Sequence, residues 1–162
     1  MKTTIRTAHI FVRSLLLVGF VLGVVSVTFA QTHPAESCDV RVTSPSEGDS
    51  VGPDGSVGGI ARVPNGTYLW VFAHRKNINA WWPQGNGPAD IDPKTGHFDV
   101  FVTYGQDRDH GAFEVAVAMV GPEVNEVLTK WFDTAQARGY PPMRFPNTFG
   151  GCPVVRITVI KG

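Results

Sequence analysis

The loop from Lys76 to Gly87 carries the residue types best suited to binding another molecule. Two adjacent tryptophans, Trp81 and Trp82, are followed by the amides Gln84 and Asn86. An indole ring offers a large rigid surface that can stack on a sugar or anchor a partner protein, and a nearby amide adds hydrogen bonds. The alternative is that both tryptophans close the open edge of a β-sandwich. Neighbouring strand residues point to opposite faces, so we expect at most one of the two in the core.

Four aspartates in two turns form a second candidate site. Asp90 and Asp92 precede one turn, and Asp107 and Asp109 lie in the next. Alternating aspartates can place oxygen atoms around a calcium ion, and two such loops at one end of a sandwich could share it. The alternative is that Asp-Pro-Lys-Thr-Gly and Asp-Arg-Asp-His-Gly are ordinary turn sequences.

Catalytic motifs are absent from the sequence. It contains no Gly-x-Ser-x-Gly elbow, no phosphate-binding loop and no His-Glu-x-x-His helix. The histidines after residue 30 lie far apart in the sequence: His33, His74, His97 and His110. We therefore assign no catalytic residue and no cofactor. An enzyme would have to use Asp107, Asp109 and His110 in the acidic turns.

The first 30 residues have the pattern of a secretory signal peptide. Lys2, Arg6 and Arg13 precede an uncharged apolar run over residues 15–29, and Ala30 offers a small residue at the cleavage site. The alternative is a segment that remains as a membrane anchor. Cleavage would leave a tail over residues 31–37 and one domain over residues 38–162. We expect a secreted or otherwise extracytoplasmic protein.

Charge and cysteine content narrow the possibilities further. Without the three basic residues of the signal, 11 basic residues face 14 acidic ones. This balance attracts neither nucleic acid nor an anionic membrane, so the expected partner is a protein or a glycan. The two cysteines, Cys38 and Cys152, would lie in an oxidising compartment after export, and we expect them to form a disulfide bond.

Strand patterns recur from Asp39 onward and are separated by glycine, proline, asparagine and aspartate clusters. The predicted strands are Val40 to Ser44, Gly55 to Val63, Tyr68 to His74, His97 to Thr103, Ala112 to Val120 and Pro153 to Ile160. An amphipathic helix is predicted between Pro122 and Gly139, with Val124, Val127, Leu128, Trp131, Phe132 and Ala135 on its apolar side. The fold class is therefore an all-β antiparallel sandwich with one helix inserted before the last strand.

We expect that helix to pack on an outer sheet face, against the small residues Ala112, Ala116 and Ala118 together with Leu69, Val71 and Ala73. The proline- and glycine-rich run from Tyr140 to Gly151 should return as an ordered loop without regular structure. Within it, the segment Tyr140 to Met143 could dock a partner as polyproline or lay this return against the end of the domain.

Three stretches resemble bacterial immunoglobulin-like and fibronectin-like extracellular modules. The run 40–45 with Glu47-Gly48 and Val51 is similar to their first strand, and the run 56–61 to their second. The strand 69–72 followed by Trp81 to Gln84 is similar to a group of such modules in secreted bacterial proteins. The resemblance implies an immunoglobulin-like sandwich that acts as an adhesion, spacer or ligand-binding module without catalytic residues. The helix and the cysteine positions depart from the usual pattern.

The sequence therefore predicts a secreted, non-enzymatic binding or scaffold module that uses the Trp81/Trp82 loop for recognition. A carbohydrate-binding module is the alternative, and an enzyme that uses the acidic turns is a third hypothesis.

Overall fold

The computed structural model describes residues 37–162, so the predicted signal peptide and most of the predicted tail lie outside the described residues. The strands are β1 (Asp39–Ser44), β2 (Ser50–Val51), β3 (Asp54–Arg62), β4 (Tyr68–Arg75), β5 (Trp82–Pro83), β6 (His97–Thr103), β7 (Gly111–Val120) and β8 (Val155–Lys161). The helix α1 (Pro122–Ala135) lies between β7 and β8. All six predicted strands and the helix are confirmed, and β2 and β5 are two short strands that the sequence analysis missed.

The strands form two sheets. The smaller sheet has the order β1-β3-β6, and the larger has the order β2-β8-β7-β4-β5. All pairs are antiparallel except β2 and β8, which run parallel. Between residues 37 and 162 the fold is mainly β, with two sheets and one α-helix, which confirms the predicted all-β class.

The inner core lies between the two sheets. Side chains on one face of β4 and β7, among them Val71, Val115 and Val117, pack against Val57 of β3 and Phe98 of β6. These residues are almost fully buried because they point into the space between the two sheets. The alternation in β6 is the clearest, since its inward positions are buried and its outward positions are exposed.

A second apolar cluster lies on the outer face of the larger sheet. The strand register places Trp70 opposite Ala118 and Phe72 opposite Ala116. Directly opposite residues of an antiparallel pair share a face, so the large aromatic rings lie beside the alanines. The prediction that Leu69, Val71 and Ala73 join the alanine face is wrong, because those three residues belong to the inner core. The alternation of residues within one strand can be predicted from its sequence, but the register of that strand with the neighbouring strand cannot.

Helix α1 covers this outer cluster as predicted. Leu128 is buried against it, and Phe132 stacks on Trp70 with ring centroids 5.8 Å apart. The Trp70 indole Nε1–H donates a hydrogen bond to Asn125 Oδ1 at 2.9 Å, which satisfies the polar atom of a fully buried ring. Val127, predicted on the apolar side, is 59% exposed instead, because it lies at the edge of the stripe.

The predicted ordered return follows the helix. A short 3-10 turn, Gln136–Arg138, ends at Gly139, whose φ of 69° lies in the left-handed region that glycine adopts readily. Beyond it the chain has no regular helix or strand until β8. The carbonyl oxygens of Tyr140 and Pro141 accept hydrogen bonds from indole N–H groups, so this segment is attached to the domain.

The predicted disulfide is present. Cys38 and Cys152 are bonded with their Cα atoms 5.4 Å apart and 114 residues apart in sequence. The bond joins the residue before β1 to the segment that leads into β8, and thereby links the two sheets. Such a bond is typical of an oxidising, extracytoplasmic environment.

No helix within residues 37–162 is both long enough and apolar enough to cross a membrane.

Candidate functional site

Trp81 lies inside the fold, at the edge of the outer cluster. Its side chain is 3% exposed. The indole stacks on the His74 imidazole with centroids 3.8 Å apart and meets the edge of Phe145 at 4.8 Å. Its backbone exchanges two hydrogen bonds with Met143 of the return segment, at 2.8 and 2.9 Å. Trp81 therefore joins the return segment to the larger sheet, and very little of its indole surface is exposed.

Trp82 and Gln84 also make internal contacts. Trp82 is half-buried, and its Nε1–H donates to the Tyr140 carbonyl at 2.8 Å. Gln84 is 8% exposed; its Nε2 donates to the Trp82 carbonyl, and its Oε1 accepts from the Thr103 amide of β6, both at 2.9 Å. Asn86 is exposed. Of the four residues predicted to bind a ligand, Asn86 alone is exposed.

The segment around Gln84 closes one side of the sandwich. The backbone N–H of Gln84 donates to the Val71 carbonyl of β4 at 2.8 Å, and the backbone N–H of Gly85 donates to the Phe101 carbonyl of β6 at 3.0 Å. One short stretch of chain therefore hydrogen-bonds to both sheets. A buried backbone group without a partner is costly, so these bonds protect the free edge of β6.

The first half of the same loop lines an open cavity of about 490 Å³ on the outer face of the larger sheet. We call it the outer cavity. Its walls combine charged, amide and apolar side chains and are formed by His74, Lys76, Asn77, Ile78, Asn79, Trp81, Glu114, Phe145 and Arg156. These residues come from three strands, the loop after β4 and the return segment. The cavity lies on the part of the sheet face that presents charged residues, whereas α1 packs against aromatic and alanine side chains.

Strand register brings the charged residues of the outer cavity together. His74 of β4 is paired directly with Glu114 of β7, so both side chains project from the same face. Arg156 of β8 is paired with Ala116, whose small side chain leaves room for the guanidinium to extend across the sheet. The guanidinium hydrogen-bonds to Glu114 and lies 4.6 Å from the Phe145 ring centroid and 5.0 Å from that of Trp81.

The one hydrogen bond of the His74 ring fixes its tautomer when the ring is neutral. Its Nδ1 lies 2.6 Å from the Ile78 carbonyl, which can only accept, so Nδ1 carries the proton. The buried Nε2 then has no hydrogen-bond partner among the described residues and lies 3.8 Å from Glu114 Oε1. His74 thus holds the loop after β4 through Ile78 and supports Trp81 by stacking. Because Nε2 is closed to solvent, we assign His74 a positioning role.

The accessible cations of the outer cavity keep most of their hydrogen-bonding capacity. The Arg156 side chain is 42% exposed and, among residues 37–162, hydrogen-bonds to Glu114 alone. A guanidinium has five N–H donors, so several remain for a ligand. Lys76 donates one hydrogen bond, to Thr158 Oγ1 at 3.3 Å, out of three possible. With one carboxylate, Glu114, the walls carry one excess positive charge when His74 is neutral.

The first acidic turn is stabilised by its own backbone. Asp92 Oδ1 accepts hydrogen bonds from the Thr95 and Lys94 amides, both at 2.8 Å. The Thr95 bond and then the Lys94 bond lower the pKa of Asp92, because both favour the charged carboxylate. Asp90 is exposed. This is the ordinary turn that the alternative interpretation predicted.

The second acidic turn is built in the same way. Asp109 Oδ2 accepts from the Gln106 amide at 2.8 Å, Asp107 is exposed, and His110 Nδ1 lies 2.8 Å from the Gly162 carbonyl. Throughout residues 37–162, no three histidine, cysteine, aspartate or glutamate side chains are grouped so that they could hold a metal ion. The calcium hypothesis for the four aspartates gains no support and stays a prediction, as does the enzyme hypothesis.

Glu114, Phe145 and Arg156 line the outer cavity but were not among the residues predicted to bind a ligand. Two of these residues could have been predicted, because Glu114 and Arg156 are charged residues on strands whose neighbouring outward-facing residues are covered. A charged residue on a sheet face that a helix otherwise covers marks the edge of the area that the helix covers. Phe145 lies in an irregular segment, and no pattern in the sequence predicts its contact with Trp81.

Comparison with known proteins assigns no family. No family model matches this chain, and no curated protein matches it. Function is therefore inferred from the contacts and charges of the outer cavity.

Proposed function

We propose that this protein is an extracytoplasmic, non-enzymatic binding module whose ligand is held at the outer cavity. One observation carries the proposal: Arg156 is fixed over two aromatic rings and against Glu114, yet is 42% exposed with donors to spare. A cation that is held in place and left open to solvent loses little entropy when it binds a ligand. The recognition surface is then the first half of the predicted loop, from Lys76 to Asn79, together with Arg156.

The strand order supports an immunoglobulin-like module. In that fold one sheet contains strands A, B, E and D, and the other contains G, F and C, with C′ added in the variable type. The order β1-β3-β6 fits A, B and E, and the order β8-β7-β4-β5 fits G, F, C and C′, with the two-residue strand β2 added beside β8. Three departures remain among residues 37–162. No strand is equivalent to D, α1 is inserted between the strands equivalent to F and G, and the disulfide joins the residue before β1 to the segment before β8 instead of joining the B and F strands. We propose the immunoglobulin-like assignment on this topology.

Export is supported by two independent features. The basic and apolar pattern of residues 1–30 is that of a signal peptide, and Cys38 and Cys152 form a disulfide. We therefore propose a secreted or periplasmic location, with membrane attachment only if the signal segment is retained.

Carbohydrate binding is not supported by the tryptophan geometry. Stacking on a sugar requires an open indole face. Trp81 is 3% exposed, so its faces are covered. Trp82 is half-buried, and its Nε1–H is used in a hydrogen bond to the Tyr140 carbonyl, which leaves this edge of the ring unavailable to a sugar hydroxyl. A sugar ligand is therefore an outcome that the following experiment can reveal, and a peptide or another small molecule is the expected result.

Amide chemical-shift mapping tests the proposal. The disulfide-bonded, exported protein is titrated with pooled short peptides and, separately, with pooled oligosaccharides. We expect a peptide pool to shift the amide signals of Asn77, Ile78 and Asn79 together with that of Phe145. Shifts confined to other surfaces with every ligand would overturn the proposal. So would the absence of any cavity shift both with these pools and with the small-molecule probes described below.

A matched pair of variants separates the cavity from general surface effects. Ile78→Ser removes an apolar side chain that is 41% exposed in the cavity wall, and Val127→Ser removes one that is 59% exposed on α1. We expect the first to weaken binding and the second to leave it unchanged. Equal effects would show that the cavity is not the contact surface.

A further inference from the structure

We infer that the outer cavity binds a carboxylate group, received by Arg156 and Lys76. This inference rests on the proposed function and adds the chemical class of the ligand. A carboxylate has two oxygen atoms in one plane, which match the parallel N–H groups of a guanidinium.

Arg156 is positioned for such a ligand before the ligand arrives. The Phe145 and Trp81 rings lie 4.6 and 5.0 Å from its guanidinium carbon, and Glu114 accepts one of its N–H groups. These contacts restrict the side chain to one orientation in which its remaining donors are free. A flexible arginine would lose more conformational entropy on binding.

The charge balance of the cavity favours a single negative charge. Lys76 and Arg156 are positive and Glu114 is negative, so one monoanion neutralises the walls. This local positive charge contrasts with the rest of the chain, because acidic residues outnumber basic ones by 14 to 11 after residue 30. A dianion such as phosphate would add a second negative charge close to Glu114, and like charges repel.

The rest of the cavity can accommodate a ligand in which a short apolar group and a polar group lie next to the carboxylate. Ile78 is 41% exposed, and the neighbouring residues Asn77 and Asn79, which carry side-chain amides, are exposed as well. An aliphatic chain next to the carboxylate would contact Ile78, while the amides could bond to a peptide group. This chemistry is found both in an acidic side chain of a polypeptide and in a free organic acid.

Direct binding measurements test the inference with defined probes. The probes are butyrate, an acetylated and amidated tetrapeptide with one glutamate, the same peptide with glutamine in that place, and inorganic phosphate. Titration is followed by calorimetry and by amide shifts of the cavity residues. We expect the glutamate peptide or butyrate to bind, the glutamine peptide to bind about tenfold or more weakly, and added salt to weaken binding.

Variants identify the receiving cations. Arg156→Gln and Lys76→Gln should each weaken binding of the acidic probe, with a loss of about tenfold or more for Arg156→Gln. Arg108→Gln, an exposed arginine of the second acidic turn, is the matched control and should bind normally. An unchanged amide spectrum shows that each variant is folded. If both cavity variants are folded and bind the acidic probe normally, the inference is wrong.

The remaining outcomes distinguish this inference from the proposed function. Binding of butyrate alone or of the glutamate peptide alone supports a carboxylate and identifies its source. Equal binding of the glutamate and glutamine peptides at the cavity, or tighter binding of phosphate, overturns the carboxylate and leaves the proposed function standing. No cavity shift with any of these probes, or with the pooled ligands, removes both.

Discussion

Replacing Gln84 by Ala tests whether this residue connects the two sheets or serves a ligand. In the structure its side chain is 8% exposed and makes two hydrogen bonds of 2.9 Å, to the Trp82 carbonyl and from the Thr103 amide. A typical intramolecular hydrogen bond contributes about 1 kcal/mol net, so losing both should lower the free energy of unfolding by about 2 kcal/mol. For a domain of this size that corresponds to a decrease of about 8 °C in Tm.

Chemical denaturation with a matched set of variants measures the effect. Gln84→Met keeps most of the side-chain volume but removes both hydrogen bonds, so it should be destabilised nearly as much as Gln84→Ala. Asn86→Ala removes an exposed amide from the same loop and should change stability by less than about 0.5 kcal/mol. Hydrogen exchange provides a local measurement, since the Thr103 amide loses its acceptor and should exchange faster.

Two results would refute this reasoning. One is a Gln84→Ala protein with wild-type stability and unchanged exchange at Thr103, because the two hydrogen bonds would then contribute nothing. The other is normal stability combined with loss of ligand binding, which would make Gln84 a binding residue, as the sequence analysis predicted.

Three further predictions follow from other parts of the fold. Replacing both Cys38 and Cys152 by Ser should lower the free energy of unfolding by about 4 to 5 kcal/mol, as the 114-residue separation implies, and equal stability of the oxidised and doubly substituted proteins in urea would contradict this. Burial raises the pKa of Tyr104 above 10.0, so its stabilising contribution is complete below pH about 10 and is lost as pH rises through the folded-state pKa. In an alkaline titration followed by phenolate absorbance, Tyr104→Phe should therefore lack the ionisation step that occurs at the highest pH. A titration curve identical to that of the wild-type protein would contradict the raised pKa of Tyr104. Gly59→Ala should cost about 2 kcal/mol because its Cβ would overlap the backbone of β1, whereas Gly52→Ala, with ordinary contacts, should be neutral in the same thermal melts.

Local patterns in the sequence were sufficient for the individual elements. Alternation in His97–Thr103 predicts β6 because successive strand residues face opposite sides, and the structure confirms it. Helical spacing after Pro122 predicts α1, and the two cysteines in an exported chain predict their bond. The two-residue strands β2 and β5 were missed because they are too short to produce a periodic pattern.

The candidate site could not be predicted, because it depends on contacts between residues that are far apart in the sequence. Composition indicated that the Trp81 loop could bind a ligand, but burial of Trp81 follows from the return segment, which lies about 60 residues later in the chain.

Residue type and spacing thus determined which segments are strands or helix, because those properties depend on side chains a few positions apart. The tertiary structure alone decided that Arg156 meets Glu114 beside Trp81, since strand register and the path of the return segment bring these distant residues together. A slip of one residue in the register would have turned Arg156 to the opposite face of the sheet, and the outer cavity would have lost its accessible arginine.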